Sequence, residues 1–172
     1  SGAIHAENQT LAWLASLAGW PTETAGGVFV SGGTLGNLAA LHAARTAYRS
    51  KTPQNSQRQR LCVLCSTEVH GSIDAISRVM EFEPIKVESD GFGRIKVDQV
   101  VKTLNARQDV FAIVANAGAT NSGAIDDIKA LAELAKKHKI WLHVDGAYGL
   151  AALADPQSAK LFSGIERADS LI

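Results

Sequence analysis

The sequence has no excess charge of either sign: 17 Lys and Arg residues balance 17 Asp and Glu, for a formal net charge of +0. Without a basic surplus or a Lys/Arg stripe, neither nucleic acid nor an anionic membrane is expected as a partner. Long apolar runs are absent as well. None approaches the roughly 20 residues that a membrane-spanning helix needs. The opening SGAIHAENQT lacks the charged-then-apolar order of a secretory leader. With no sign of secretion, the sequon Asn8-Gln9-Thr10 is read as fortuitous. Cysteine is scarce. Cys62 and Cys65 stand together in LCVLCS, with no second pair to complete a metal site. They are read as small apolar core residues in a reducing compartment, the cytoplasm.

What remains is an ordinary globular balance, 46% apolar and 20% charged over 172 residues, enough for one sizeable core. Helical and β patterns alternate along it. AIHAENQTLAWLASLAG places Leu11, Leu14, Leu17 and Ala18 at helical spacing and stops at Gly19. GGVFVSGG reads as a short β run closed by glycines, and TLGNLAALHAARTAY as a helix. RSKTPQNSQRQR reads as a polar surface loop. LCVLCS, PIKVE, VFAIVAN, IWLHVD and the closing ADSLI read as strands. GSIDAISRVMEF, VDQVVKTLNARQ and AIDDIKALAELAKKHK read as helices, the last opened by acids and closed by lysines as the helix dipole prefers.

Continuous apolar strands between amphipathic helices specify an α/β fold: a parallel or mostly parallel sheet with helices on both faces. Ligands of such sheets bind beyond the carboxyl ends of the strands. Four strands are expected to run into polar or glycine-rich segments, SGGTLGN, STEVHGS, NAGATNSG and DGAYG, which would face one crevice.

In SGGTLGN, glycines let backbone approach a ligand, and the following helix offers free N–H groups and a positive dipole end that bind phosphate. The alternative is a tight turn with Thr34 as helix cap. No Gly-Lys-Ser/Thr follows, which excludes a P-loop. A dinucleotide fingerprint is nearly present: Gly33 and Gly36 are in place, but Ser31 stands where the first glycine belongs and no ribose-binding acid follows. His70, beyond LCVLCS, suits stacking on a planar ring or passing a proton, or simply points to water. Asp145, ending IWLHV, is costly to bury without a partner. That partner is a metal, a lysine or arginine, or a protonated ring nitrogen. Alternation puts His143 on the same face, a conceivable two-ligand fragment, but no wider metal motif supports it.

Taken in series, SGGTLGN, HGSIDAI, NAGATNSGAIDDI, WLHVDGAYG and GIERADSLI resemble the group II pyridoxal-phosphate-dependent amino acid decarboxylases. The resemblance covers almost the whole chain, with the motifs in family order. It implies part of a fold-type I large domain and pyridoxal 5'-phosphate as cofactor. Gly33, Thr34, Leu35 and Gly36 would hold the cofactor phosphate with their backbone at the helix start. His70 would stack on one face of the ring and assist proton transfer, and Ala147 would sit against the other face, where a bulky side chain is unwelcome. Thr120 would lie near the ring edge and Asp145 would bind the pyridinium nitrogen.

The resemblance also implies an L-amino acid substrate and a homodimer. The family's Schiff-base lysine belongs just beyond ADSLI, while Lys160 lacks the right context. The chain is therefore expected to be the central part of a longer enzyme's large domain, without turnover by itself. Gly146, Asn121 and Ser122 leave the subgroup open. A carbon–carbon lyase, an aminotransferase-like enzyme and a non-catalytic scaffold remain the alternatives, with a nicotinamide dehydrogenase more distant.

Overall fold

The computed structural model describes residues 2–51 and 60–172. Most of the expected polar loop, positions 52–59, lies outside the described residues. Five strands, β1 (Cys62–Ser66), β2 (Glu83–Val87), β3 (Val110–Asn116), β4 (Trp141–Asp145) and β5 (Ser170–Leu171), form one sheet in the order β2-β1-β3-β4-β5. Every pairing is parallel. All five carboxyl ends therefore point the same way. The central strands β1 and β3 are buried at every position, as continuous apolar runs with helices on both faces require.

One face carries α2 (Gly33–Ser50) and α3 (Ser72–Met80). Leu41 and Ala44 of α2 and Ile73 and Ile76 of α3 pack there with Val63, Cys65, Phe111 and Val114. Phe82 meets Phe111 edge to face at 5.7 Å between centroids, a geometry worth about 0.5–1.5 kcal/mol beyond burial. The other face carries α4 (Val97–Ala106) and α5 (Ile128–His138). Val100, Leu104, Leu131 and Ala135 pack there on Leu64, Ile113, Leu142 and Val144. A sixteen-residue helix, α1 (Gly2–Leu17), precedes this body and ends where Gly19 takes a positive φ of 73°.

Helix ends follow local chemistry. Asp127 caps α5 by accepting the Ala130 N–H at 3.0 Å, and Lys136, Lys137 and His138 occupy its last turn, where a cation meets the negative dipole end. Asp126, the other acid expected to open this helix, lies outside it. Buried, it accepts the N–H groups of Ile95 and Asn116, each at 2.7 Å, and so ties the end of β3 to the segment before α4.

One expected strand is absent. GGVFVSGG forms no strand, and Val28 and Phe29 are well exposed. Its β-branched run finds no sheet edge: Phe29 N–H donates to the Glu7 side chain at 3.2 Å instead. Three of the four glycine-rich or polar segments thus leave sheet strands, and the fourth is an extended approach to α2.

Cys62 and Cys65 sit on opposite faces of β1, one in each core layer. They are free thiols that cannot pair with each other. Burial pushes both thiols up to about 12, which leaves almost no reactive thiolate near neutrality. Iodoacetamide at pH 8 is expected to spare both in the native protein and to alkylate both in denaturant, as peptide mapping would show. Native alkylation would contradict this packing.

Candidate functional site

Parallel strands bring the loops after β1, β3 and β4 to one edge of the sheet, beside the start of α2. Gly32 occupies the helix cap position without a side-chain cap, so Thr34 does not serve as the cap. The N–H groups of Leu35 and Gly36 turn back to the Gly32 carbonyl. The exposed start of the helix keeps the positive dipole end open to an anion.

Two glycines let this helix come close. A Cβ at Gly33 would stand 3.3 Å from the Ala147 side chain, and one at Gly36 only 2.8 Å from Ile172 Cγ2. The α2 start therefore lies against the loop after β4 and the residue after β5, at the carboxyl edge of the sheet where such folds have their ligand cleft. That loop also meets the loop after β3 backbone to backbone. Gly118 has φ +97°, and a Cβ there would lie 2.9 Å from Gly149 Cα.

Asp145 ends β4 at this cleft and is only 8% exposed. Its Oδ2 accepts from Asn37 Nδ2 at 2.9 Å and its Oδ1 from the Ala147 N–H at 3.3 Å. Both donors are neutral, and no cation pairs with it among the described residues. A carboxylate so placed retains an unmet demand for positive charge. Among the described residues, no lysine or arginine neutralises it.

Asn116, its neighbour across β3 in register, is also buried, and its side-chain nitrogen has no acceptor among the described residues. A buried donor without an acceptor is uncommon and costs free energy. Cleft and side chains together thus offer an anion a helix start, a cation a carboxylate, and an acceptor an amide N–H.

His70 is exposed at the rim. Its Nδ1 accepts the Ser72 N–H at 3.2 Å. A neutral ring held this way carries its proton on Nε2. Ser72 in turn accepts from Asn37 Nδ2 at 3.0 Å, so His70 and Asp145 belong to one hydrogen-bonded set. Thr34, Leu35 and Ala147 are exposed along the walls. Thr120 is exposed in the turn that the Gly123 N–H closes on the Ala119 carbonyl, and it makes no hydrogen bond to this set among the described residues.

His143 is not a metal ligand here. It is fully buried and bonded to Asn37 and Ser170. No group of three or more His, Cys, Asp or Glu side chains fit for a metal occurs among the described residues.

Sequence reading missed Asn37, Ser72 and Asn116 as members of the site. Asn37 was detectable: it lies on the stripe of α2 that also carries Leu41 and Ala44. A polar residue on an otherwise buried stripe needs a partner.

The fold and cleft define an open α/β protein with its ligand site at the carboxyl edge of a parallel sheet. The family model of the pyridoxal-dependent decarboxylase conserved domain matches residues 3–172, and the chain belongs to that family. It is 36% identical over 178 residues to an aromatic-L-amino-acid decarboxylase of Bacillus atrophaeus, covering 99% of this chain and 36% of that protein. Among solved structures it resembles the glutamate decarboxylase domain of diaminobutyrate-pyruvate transaminase and L-2,4-diaminobutyrate decarboxylase from Vibrio parahaemolyticus. There the TM-score is 0.87 at 32% identity, over 99% of this chain and 40% of that one. It also resembles Oryza sativa TDC, solved with PLP, with a TM-score of 0.85 at 25% identity over 96% of this chain and 39% of that one. The chain thus spans about a third of the length of the curated relatives it matches. No helix among the described residues is long and apolar enough to cross a membrane.

Proposed function

We propose that the protein containing this chain decarboxylates an L-amino acid with pyridoxal 5'-phosphate, and that residues 1–172 are the central part of its cofactor-binding large domain. The observation that carries the reading is Asp145: a buried carboxylate at the end of β4 with neutral donors only among the described residues, beside the start of α2.

The residues fit the cofactor. Backbone at Gly33 and Thr34 would hold its phosphate, where the helix dipole favours the charge. The N–H groups of Leu35 and Gly36, included in the sequence expectation, are taken by the Gly32 carbonyl. Ala147 and His70 would cover the two faces of the ring, shed water from them and fix its plane. Thr120 would stand near the ring edge. Asp145 would face the ring nitrogen and, as an anion in a site poor in water, hold a proton on it. When bound, the protonated ring supplies an electron sink for the charge left by departing carbon dioxide. His70, with Nδ1 engaged by the Ser72 N–H, would use Nε2 as the atom that holds or gives a proton.

A cytoplasmic location and a homodimer belong to the same proposal. The two free, buried thiols support the first, and the family resemblance supports the second.

The test uses the full-length protein. Adding pyridoxal phosphate is expected to produce a saturable absorbance change near the visible edge. Release of carbon dioxide from at least one of a panel of aromatic and acidic L-amino acids is then expected to depend on the cofactor. Cofactor binding with no release from any amino acid would reject decarboxylation, and failure to bind would reject the site.

A further inference from the structure

We propose that Asn37 is a positioning residue for Asp145, and that the orientation of its amide is set from the far side of the sheet face by His143, Ser170 and Trp141. The inference rests on the reading that Asp145 meets the ring nitrogen of the cofactor.

The hydrogen-bonded chain runs along one face of β4. Trp141, His143 and Asp145 alternate onto the side that faces α2, as strand geometry requires. Trp141 Nε1 donates to Ser170 Oγ at 2.7 Å. Ser170 Oγ lies 2.8 Å from His143 Nδ1, and His143 Nε2 lies 2.7 Å from Asn37 Oδ1. Asn37 Nδ2 then reaches both Asp145 Oδ2 and Ser72 Oγ.

Donor chemistry orders this chain from both ends. An ionised carboxylate only accepts, so the Asn37 amide must turn its nitrogen toward Asp145 and its oxygen toward His143. His143 Nε2 must then carry the proton. From the other end, indole N–H only donates, so it occupies a lone pair of Ser170 and leaves the hydroxyl proton free to point at His143 Nδ1. Both ends give the same tautomer. Burial supports it, holding the imidazole down at about 4 and so neutral.

A flipped Asn37 would put its oxygen against the carboxylate and leave the His143 N–H facing the amide NH2, which only donates. Asn37 itself is 1% exposed, so bulk water is kept from it. The network therefore holds the Asp145 carboxylate in one rotation about its Cβ–Cγ bond. The ring nitrogen would meet a fixed oxygen rather than a turning group.

The experiment measures affinity of the full-length protein for pyridoxal phosphate and for its 1-deaza analogue, in which carbon replaces the ring nitrogen. The ratio isolates the contact at that nitrogen, and a general loss of packing would lower both affinities together. Wild type is expected to prefer the natural cofactor. Asn37→Leu, similar in branched outline though bulkier, is expected to reduce that preference about tenfold, the scale of one hydrogen bond to a charged group. Ser170→Ala, at the strand edge away from the cleft, is expected to reduce it in the same direction by a smaller factor.

If Asn37→Leu fails to fold, Ser170→Ala decides. A preference kept at the wild-type value in the folded variants would overturn the positioning role. Absence of any preference in wild type would instead overturn the pairing of Asp145 with the ring nitrogen.

Discussion

Asp145→Asn in the full-length protein is expected to weaken pyridoxal phosphate binding by a factor of about 30 or more, and to reduce carbon dioxide release further at saturating cofactor. The substitution keeps the shape of the side chain but leaves one acceptor oxygen for the two donors, Asn37 Nδ2 and the Ala147 N–H. It removes the charge and one hydrogen bond, so folding is checked beside affinity. Breaking one side of a buried charge pair costs roughly 2–5 kcal/mol, and about 1.4 kcal/mol is tenfold in affinity. The release step should suffer more than binding, because a ring nitrogen left neutral withdraws electrons less well. Titration by absorbance, with circular dichroism to confirm folding, checks the first part. An unchanged affinity would mean that the carboxylate serves the fold alone.

The second large effect concerns the walls of the cleft. Gly149→Ala is expected to destabilise the protein by ~1–3 kcal/mol, the usual cost of forcing extra volume into packed structure. A Cβ at this position would fall inside contact distance of the Ala117 carbonyl oxygen. Here the obstacle is backbone, which cannot swing aside as a side chain can. Ala117 N–H is already bonded to the Asp145 carbonyl at 2.8 Å, so a shift of either loop moves the cleft. Weaker cofactor binding should therefore accompany the lower melting temperature. Gly71→Ala is the control: a Cβ there meets nothing within 4 Å, its backbone is in the helical region, and its stability should stay near wild type. Equal melting temperatures for both variants would contradict the close crossing of the two loops.

Much of this architecture was legible in the chain because continuous apolar runs leave few choices. VFAIVAN and LCVLCS are buried on both faces, and β3 occupies the very span its pattern predicts. GGVFVSGG misled for a physical reason. β propensity says that a segment fits a pleated surface, but not that a neighbouring edge is there to pair with it. The two acids before α5 look alike in sequence and diverge in space. Asp127 caps the helix, while Asp126 is buried on two backbone donors. There burial pushes its carboxyl up to about 6, with the donors pulling the other way.

The candidate site was legible where motifs follow strands, as at Asp145 and His70. The stripe of α2 marks Asn37 as needing a partner, but which strand residue that partner is stayed hidden. The bond from Asn37 to Asp145 spans 108 positions in sequence, and local patterns carry no information about such pairs.

The protonation state of the bound ring is the most direct question to put to this protein. A nitrogen-15 spectrum of the full-length protein, loaded with cofactor labelled at the ring nitrogen, answers it. The shift of a protonated pyridinium at neutral pH is the predicted result. The shift of a neutral pyridine would contradict the role given to Asp145.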